Sequence, residues 1–463
     1  MGSVKFNKHF IIRITLVSAM GGLLFGYDWV VIGGAKPFYE RFFEITHSAN
    51  LQGWAMSSAL IGCLLGALFS GYVSDRFGRK IPLILAAVLF TVSAIGTGAV
   101  NTFAPFILYR MVGGVAIGMA SAISPMYIAE ISPAQIRGRL VAVNQLTIVI
   151  GILAAQIINY LIADTVPDNA SDSYIAQSWN AQMGWRWMFW AEVVPAFAFF
   201  ILACFIPESP RFLAKIGKRE DSLKILAKIG GKDYARSEEE NIAETLKHTR
   251  SKIDWNALLA KKVRPVLAIG IVLAVFQQWC GINVIFNYAE EVFTSAGYSV
   301  SDMLLNIVVT GSVNLVFTLL AMRIVDKWGR RKMMLFGASA LAVIYTVLGA
   351  SYYFGIQGFS ILLLLVSAIA VYALTLAPVT WVVLSEIFPN RIRGSAMAIA
   401  TTALWSASFI LIYTFPLLNK TLNASGTFWL YAFICVAGFT FIYRRLPETK
   451  GISLEKIEKI MSE

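Results

Sequence analysis

"DRFGRK" at residues 75–80 returns as "DKWGRR" at 326–331, and this recurrence organises the whole chain. Two further stretches return in the same order: "AEISPAQIRG" (129–138) as "SEIFPNRIRG" (385–394), and "PESPR" (207–211) in part as "PETKG" (447–451). The offsets are 251, 256 and 240 residues. Similarity that recurs at one long period marks a duplicated structural unit. Each motif follows the second, fourth or sixth apolar run of its half, so the unit is a bundle of six helices.

The runs themselves are legible from composition. The chain of 463 residues is 57% hydrophobic and only 14% charged, with a mean hydropathy of +0.67. A bilayer core of about 30 Å needs about 20 apolar residues per helix. Runs of that length lie near 10–33, 52–73, 81–100, 104–127, 139–162 and 185–206, and again near 264–288, 303–325, 333–354, 359–384, 394–415 and 426–445. The expectation is an all-α membrane protein with twelve transmembrane helices in two pseudo-symmetric six-helix bundles. Its bounds are 1–206 and 264–446, joined by a charged amphipathic helical connector at 207–263 and followed by a C-terminal helix at 447–463.

The net charge of +12 does not form a nucleic-acid patch. Lys and Arg crowd alternate loops, "RFGRK", "QIRGR", "KWGRRK" and "NRIRG", whereas "DTVPDNASDS" (164–173) on the other side is acidic. The positive-inside rule then places both termini and the connector in the cytoplasm, in a cell inner membrane with anionic lipid as neighbour. Cys63, Cys204, Cys280 and Cys435 lie in apolar runs without metal or redox spacing. No nucleophile–base pair or phosphate loop stands out, so neither an enzyme nor a cofactor or metal is expected.

Two parallel halves joined by a cytoplasmic connector describe carriers that rock one half against the other. "GGLLFGYD" (21–28), "DRFGRK", "YRMVGG" (109–114), "SPMYIAEISPAQIRG" (124–138), "NQLTIVIGI" (144–152), "PESPR", "FQQWCGIN" (276–283), "VDKWGRR" (325–331), "LSEIFPNRIRG" (384–394) and "PETKG" resemble the signature set of the sugar porter family of the major facilitator superfamily, in family order. The resemblance covers essentially the whole chain and implies alternating-access sugar transport; a functional monomer is the expectation.

At helix ends the motifs pair acids with bases: Asp75 with Arg79, Glu130 with Arg137, Glu208 with Arg211, and in the repeat Asp326 with Arg330, Glu386 with Arg393, and Glu448. Exposed pairs contribute about 0–1 kcal/mol each. Several together form a breakable cytoplasmic gate between the halves, a role the resemblance also implies. The blander reading, topology signals and caps, accounts for the basic residues but not for the recurring Glu.

Asp28, Arg110 and Glu192 stand inside apolar runs, and Glu290 and Glu291 near the outer end of the seventh. A central charge costs about 2.5–3.5 kcal/mol on insertion scales, so it faces the interior with a partner. Arg110 reads as the one cation at buried depth and therefore as the partner of Asp28. Since His9, His47 and His248 lie outside the runs, a protonatable switch must be a carboxylate, and Asp28 fits it. The alternative is a static Asp28–Arg110 pair. The resemblance favours coupling, because proton-coupled members carry aspartate there and many passive carriers asparagine. Glu192 matches a further carboxylate position of the family.

A sugar site needs neutral donors and acceptors and an aromatic face. Gln145, Ile152, Gln156 and Asn159 form one stripe on the fifth helix. Gln277, Gln278, Asn283 and Asn287 surround Gly281, which weakens the seventh. Asn314, Trp381, Phe25, Phe286 and Trp405 complete the candidates, several at positions that match family sugar ligands. Single amides can also merely bridge helices. Where the family usually has the first of two tyrosines, Asn287 stands here. Leu404 occupies a common Gln or Asn position, Ala377 a usual glycine, and Ile152 is apolar as in animal glucose carriers. The reading is proton symport of a pentose or hexose. Passive uniport and transport of a polyol or cyclitol remain as alternatives, and the short chain after 447 speaks against a sugar sensor.

Overall fold

Inside a bilayer every backbone N–H and C=O must be satisfied within the segment, which helices do and isolated strands cannot. The computed structural model describes residues 6–167, 170–248, 260, 263–388 and 392–450, and among the described residues no strand occurs. The expected C-terminal helix falls largely on residues 451–463, outside the described part.

The first half comprises α1 (Lys8–Phe42), α2 (Ala49–Phe77), α3 (Lys80–Ala99), α4 (Phe103–Ile131), α5 (Arg137–Ile162), the short α6 (Asp172–Gln177) and α7 (Asn180–Phe205). The connector holds α8 (Pro210–Lys215) and α9 (Arg219–His248). The second half comprises α10 (Arg264–Asn287), α11 (Ala289–Ser295), α12 (Val300–Trp328), α13 (Arg330–Tyr353), α14 (Phe359–Ile387) and α15 (Arg393–Arg445). Eleven of these segments are long and apolar enough to cross a membrane. The run α15 is 53 residues long and breaks at Asn423, whose φ is 57°, so it crosses twice. Twelve crossings result, six on each side of the connector.

Large apolar side chains remain outside: Phe205 is 81% exposed, Val194 74%, Leu161 72% and Phe433 69%. A surface like this is stable against lipid and not against water. Small residues bring the helices close. A side chain at Gly26 would strike the Ile148 carbonyl of α5, and one at Gly114 the Ala59 carbonyl of α2, so these glycines let backbones touch.

The connector is amphipathic, as its spacing predicts. Leu226, Ile229 and Ala235 of α9 bury against Ile11 of α1, with Ile136 and Leu140 beside them. The Asn7 amide donates to the Ile229 carbonyl at 2.9 Å. The connector is thereby fastened to the first half.

Two long segments are interrupted at depth: α10 breaks at Gly281 (φ 88°), and α14 breaks at Thr375; α7 keeps helical φ and ψ through Ala191 and Glu192. Broken backbone inside a membrane is tolerated where it is buried in protein or lines a polar cavity, so these breaks point toward a common centre. Gly281→Ala should cost about 1–2 kcal/mol from the left-handed backbone alone. More follows because the new methyl would stand 2.7 Å from the Tyr431 ring. Thermal unfolding of the purified protein in detergent checks this; an unchanged midpoint would refute it.

Candidate functional site

Asp28 lies near the middle of α1, and both it and Arg110 of α4 are all but sealed, at 1% and 2% exposure. Arg110 Nη1 donates to Asp28 Oδ1 in a close ion pair, and Nη2 reaches the Asp28 carbonyl at 3.3 Å. The guanidinium also lies over the Phe189 ring, 5.5 Å from its centroid. Gly113 makes the approach possible: a Cβ there would stand 2.5 Å from Asp28 Oδ2. Neither Asp28 Oδ2 nor Arg110 Nε has a protein partner. Glu192 of α7 is equally buried, and its Oε1 is also unpartnered. Three ionisable groups, two acids and one base, are thus buried in the core of the first half.

The amides of α10 form a chain. Gln277 Nε2 donates to the Tyr372 hydroxyl at 2.9 Å, Gln278 Nε2 to Gln277 Oε1 at 2.7 Å, and Asn283 Nδ2 to Gln278 Oε1 at 2.6 Å. Asn287 Nδ2 bonds the Asn283 carbonyl at 2.9 Å. The left-handed Gly281 sits between the two pairs and turns them toward one side. Phe286 and Asn314 are buried, whereas Gln145, Ile152, Trp381 and Phe25 are half-buried. Gln156 is buried against Gly311 of α12, between the halves, and neither its Nε2 nor its Oε1 has a protein partner. An amide in that condition costs about 1–3 kcal/mol unless a ligand or water meets it. Asn159, on the same stripe, instead donates to the Val31 carbonyl at 2.9 Å and ties α5 to α1. Trp405 is buried with its Nε1 unpartnered.

The charged motifs at the connector end are arranged differently from the expected network. Arg79 pairs with Glu130 at 2.8 Å, not with Asp75, which meets Lys215 at 2.9 Å. The reason is Gly78: its φ of 86° ends α2, so Asp75 and Arg79 do not share a helix face. Glu208 leaves Arg211 and accepts from the Arg79 amide at 2.8 Å, at the electropositive start of α3. Arg137 is exposed and does not meet Glu130, because a loop separates α4 from α5. The repeat obeys the same plan. Arg330 meets Glu386 at 3.1 Å, the Arg330 amide donates to Glu448 at 2.9 Å, and Arg393 Nε bonds the Phe388 carbonyl at 3.3 Å. Ser209 donates to Glu130, and Thr449 to Glu386 at 2.5 Å, so "PES" and "PET" each supply a hydroxyl that sequence reading passed over. The Asp326 side chain lies outside the described part. In this structure each cluster closes within its own half, and among the described residues no ion pair of these motifs joins the two halves.

Burial grades the two clusters. Glu130 has a side-chain exposure of 10% and Glu386 of 23%. Glu130→Gln should lower unfolding stability by about 1–3 kcal/mol, as for a charged hydrogen bond, and Glu386→Gln by less than about 1 kcal/mol. Equal losses in thermal unfolding would overturn that ranking.

At the opposite end, charges do join the halves, and the sequence reading missed the central one. Lys36, 1% exposed, extends from α1 to Glu40 at 3.0 Å, Glu290 at 3.2 Å and Glu291 at 2.6 Å. Arg41 pairs with Glu290 at 3.0 Å and Asp172 at 2.8 Å. Arg110 is thus not the one buried cation. Trp54 packs on Phe409 and Tyr413 of α15, with centroids 6.2 and 5.7 Å away, and the Val166 amide donates to Ser301 at 2.9 Å. This end is shut.

Two bundles with helices broken around a polar, partly unsatisfied centre define a membrane carrier of the major facilitator type. A profile described as "Sugar (and other) transporter" matches residues 14–461. The D-xylose-proton symporter of Escherichia coli (strain K12) is 39% identical over 99% of this chain and 97% of its own length. The arabinose-proton symporter of Bacillus subtilis (strain 168) is 37% identical over 97% and 95%. The solved partially occluded inward open conformation of the xylose transporter XylE from E. coli superposes with a TM-score of 0.85 at 37% identity, covering 96% of this chain and 100% of that one. The chain belongs to the sugar (and other) transporter family and is a multi-pass membrane transporter, not an enzyme.

Proposed function

We propose that this carrier imports a monosaccharide, a pentose or hexose, together with a proton by alternating access. The observation that carries the reading is the sealed Asp28–Arg110–Glu192 group, with unpartnered carboxylate oxygens, in a family whose relatives include D-xylose- and arabinose-proton symporters. Asp28 takes the proton, Arg110 is its counter-charge, and Glu192 adjusts the pair. Sugar hydroxyls exchange hydrogen bonds with Gln145, Gln156, Gln277, Gln278, Asn283, Asn287 and Asn314, while Phe25, Phe286, Trp381 and Trp405 supply apolar faces and Ile152 narrows the site.

The bundles, 1–206 and 264–446, rock about this centre. By the distribution of basic loops, the connector and both termini are cytoplasmic and the membrane is the cell's inner or plasma membrane. The conformation is then open toward the cytoplasm, with the Lys36 end as the closed outer gate. The Arg79–Glu130–Glu208 and Arg330–Glu386–Glu448 clusters approach one another when the inner side closes. The carrier works as a monomer, with anionic lipid around its basic loops. Purified protein in liposomes with an imposed pH gradient and membrane potential should accumulate D-xylose, L-arabinose or D-glucose above the outside concentration. Uptake that only equilibrates for every sugar, and for inositol, would refute it.

A further inference from the structure

A small cavity, with about 10 Å3 open to the centre of a water molecule, lies where the ion pair meets the amides; Trp29, Leu60, Arg110, Asn287 and Ile412 are among its walls. That is room for about one water. Trp29 follows Asp28 on α1 and is only half-buried. Its ring lies 5.9 Å from Trp405 and 6.2 Å from Phe25, and Phe25 lies 6.0 Å from Trp405. One aromatic surface therefore spans both halves beside Asp28, with the buried, unpartnered Trp405 Nε1–H at it.

We propose that Trp29 is the aromatic residue that selects the sugar in this carrier and the link from the cargo site to the Asp28–Arg110 pair. The proposal rests on the sugar–proton reading above. A sugar ring offers a C–H face to an aromatic ring and hydroxyls at its rim. At position 287 this chain has an amide, which supplies a hydrogen bond but no face. Trp29 stands across the same cavity, on the other half, and supplies the face. Asn287 Nδ2 is committed to the Asn283 carbonyl, so its Oδ1 is the group left to accept from a hydroxyl or a bridging water. Arg110 borders the same space. An indole displaced by a bound sugar therefore moves the chain neighbour of Asp28 and the surroundings of Arg110 in one step, which is what coupling requires.

The test is a cycle of Trp29→Phe, Trp29→Ala, Asn287→Tyr and the double variant Trp29→Ala/Asn287→Tyr. Sugar binding is read in detergent by thermal shift and fluorescence, and uptake in liposomes as KM, Vmax and protons per sugar. Trp29→Ala should raise KM about tenfold, as for loss of one aromatic contact, and lower the number of protons carried per sugar. Trp29→Phe should keep coupling and raise KM about threefold. Asn287→Tyr alone has no room for its ring and should bind worse than the double variant, in which the phenol takes the vacated space. KM and coupling in Trp29→Phe and Trp29→Ala within twofold of wild type would overturn the proposal, as would Asn287→Tyr binding as well as the double variant. Wild type that binds no monosaccharide would instead overturn the sugar reading beneath it, so the two failures are separate.

Discussion

Replacing Asp28 with asparagine should abolish accumulation of sugar against its gradient while leaving exchange of labelled for unlabelled sugar measurable. Asparagine keeps the size of the side chain and a bond to Arg110, so the packing of α1 on α4 survives. It removes the group proposed to carry the proton. One proton moving through 100 mV supplies about 2.3 kcal/mol, which is an accumulation of several tens-fold at 1.4 kcal/mol per tenfold. All of that should disappear in Asp28→Asn, with the internal concentration levelling at the external one. Arg110→Ala has a different fate. It leaves Asp28 sealed without its counter-charge, and removing one partner of a buried pair costs about 3–5 kcal/mol, so loss of folded protein should accompany loss of transport. Glu192 provides the control, since its buried carboxylate could take over the proton. If Asp28→Asn still accumulates sugar and Asp28→Asn/Glu192→Gln does not, the proton belongs to Glu192. If both accumulate, the buried Asp28–Arg110–Glu192 group is structure alone.

The depth of a charge was legible in the sequence, and its partner was legible only where chemistry left one choice. Asp28 and Arg110 stand out because an apolar run makes any charge conspicuous, and the structure brings them together. The pairs at the connector end were assigned by closeness in sequence, which fails across a helix break: Gly78 and Gly329, with φ of 86° and 91°, turn Arg79 and Arg330 away from the ends of the preceding helices. The repeat itself, not either copy, held the information, since Arg79–Glu130–Glu208 and Arg330–Glu386–Glu448 have one geometry. Lys36 escaped because it lies beyond the apolar run, where a lysine reads as solvent-exposed. The helix continues to Phe42 because acids 254 and 255 positions later come to meet it. Trp29 escaped because a tryptophan in an apolar run looks the same whether it faces lipid or cargo. The fold followed from periodicity and repetition, whereas the site depends on which side chains two halves bring together.

Replacing Lys36 with methionine should open the Lys36 end, which is the outer face in the orientation proposed above. Three carboxylates converge on one ammonium there, and two of them, Glu290 and Glu291, come from the other half. Methionine keeps the length and the apolar stem but leaves Glu40 and Glu291 without their cation, beside Glu290, which retains Arg41. Uncompensated buried charge costs about 3–5 kcal/mol. The protein escapes that cost by separating the halves, which hydrates the acids. Since 1.4 kcal/mol is a factor of ten, an equilibrium that favours the closed outer face by a few kcal/mol is reversed. Ser301, bonded to Val166 across the closed face, is the place to observe this. A cysteine at 301, in a background lacking the exposed Cys204, should react slowly with a membrane-impermeant maleimide added outside when Lys36 is intact. It should react at least tenfold faster in Lys36→Met. Lys36→Arg should keep the slow rate, because a guanidinium reaches the same acids. Lys36→Met/Glu291→Gln should recover part of it, because one repulsive charge is gone. A rate in Lys36→Met equal to that of the parent would mean that aromatic packing of Trp54 on α15 holds the gate and the ion cluster only decorates it.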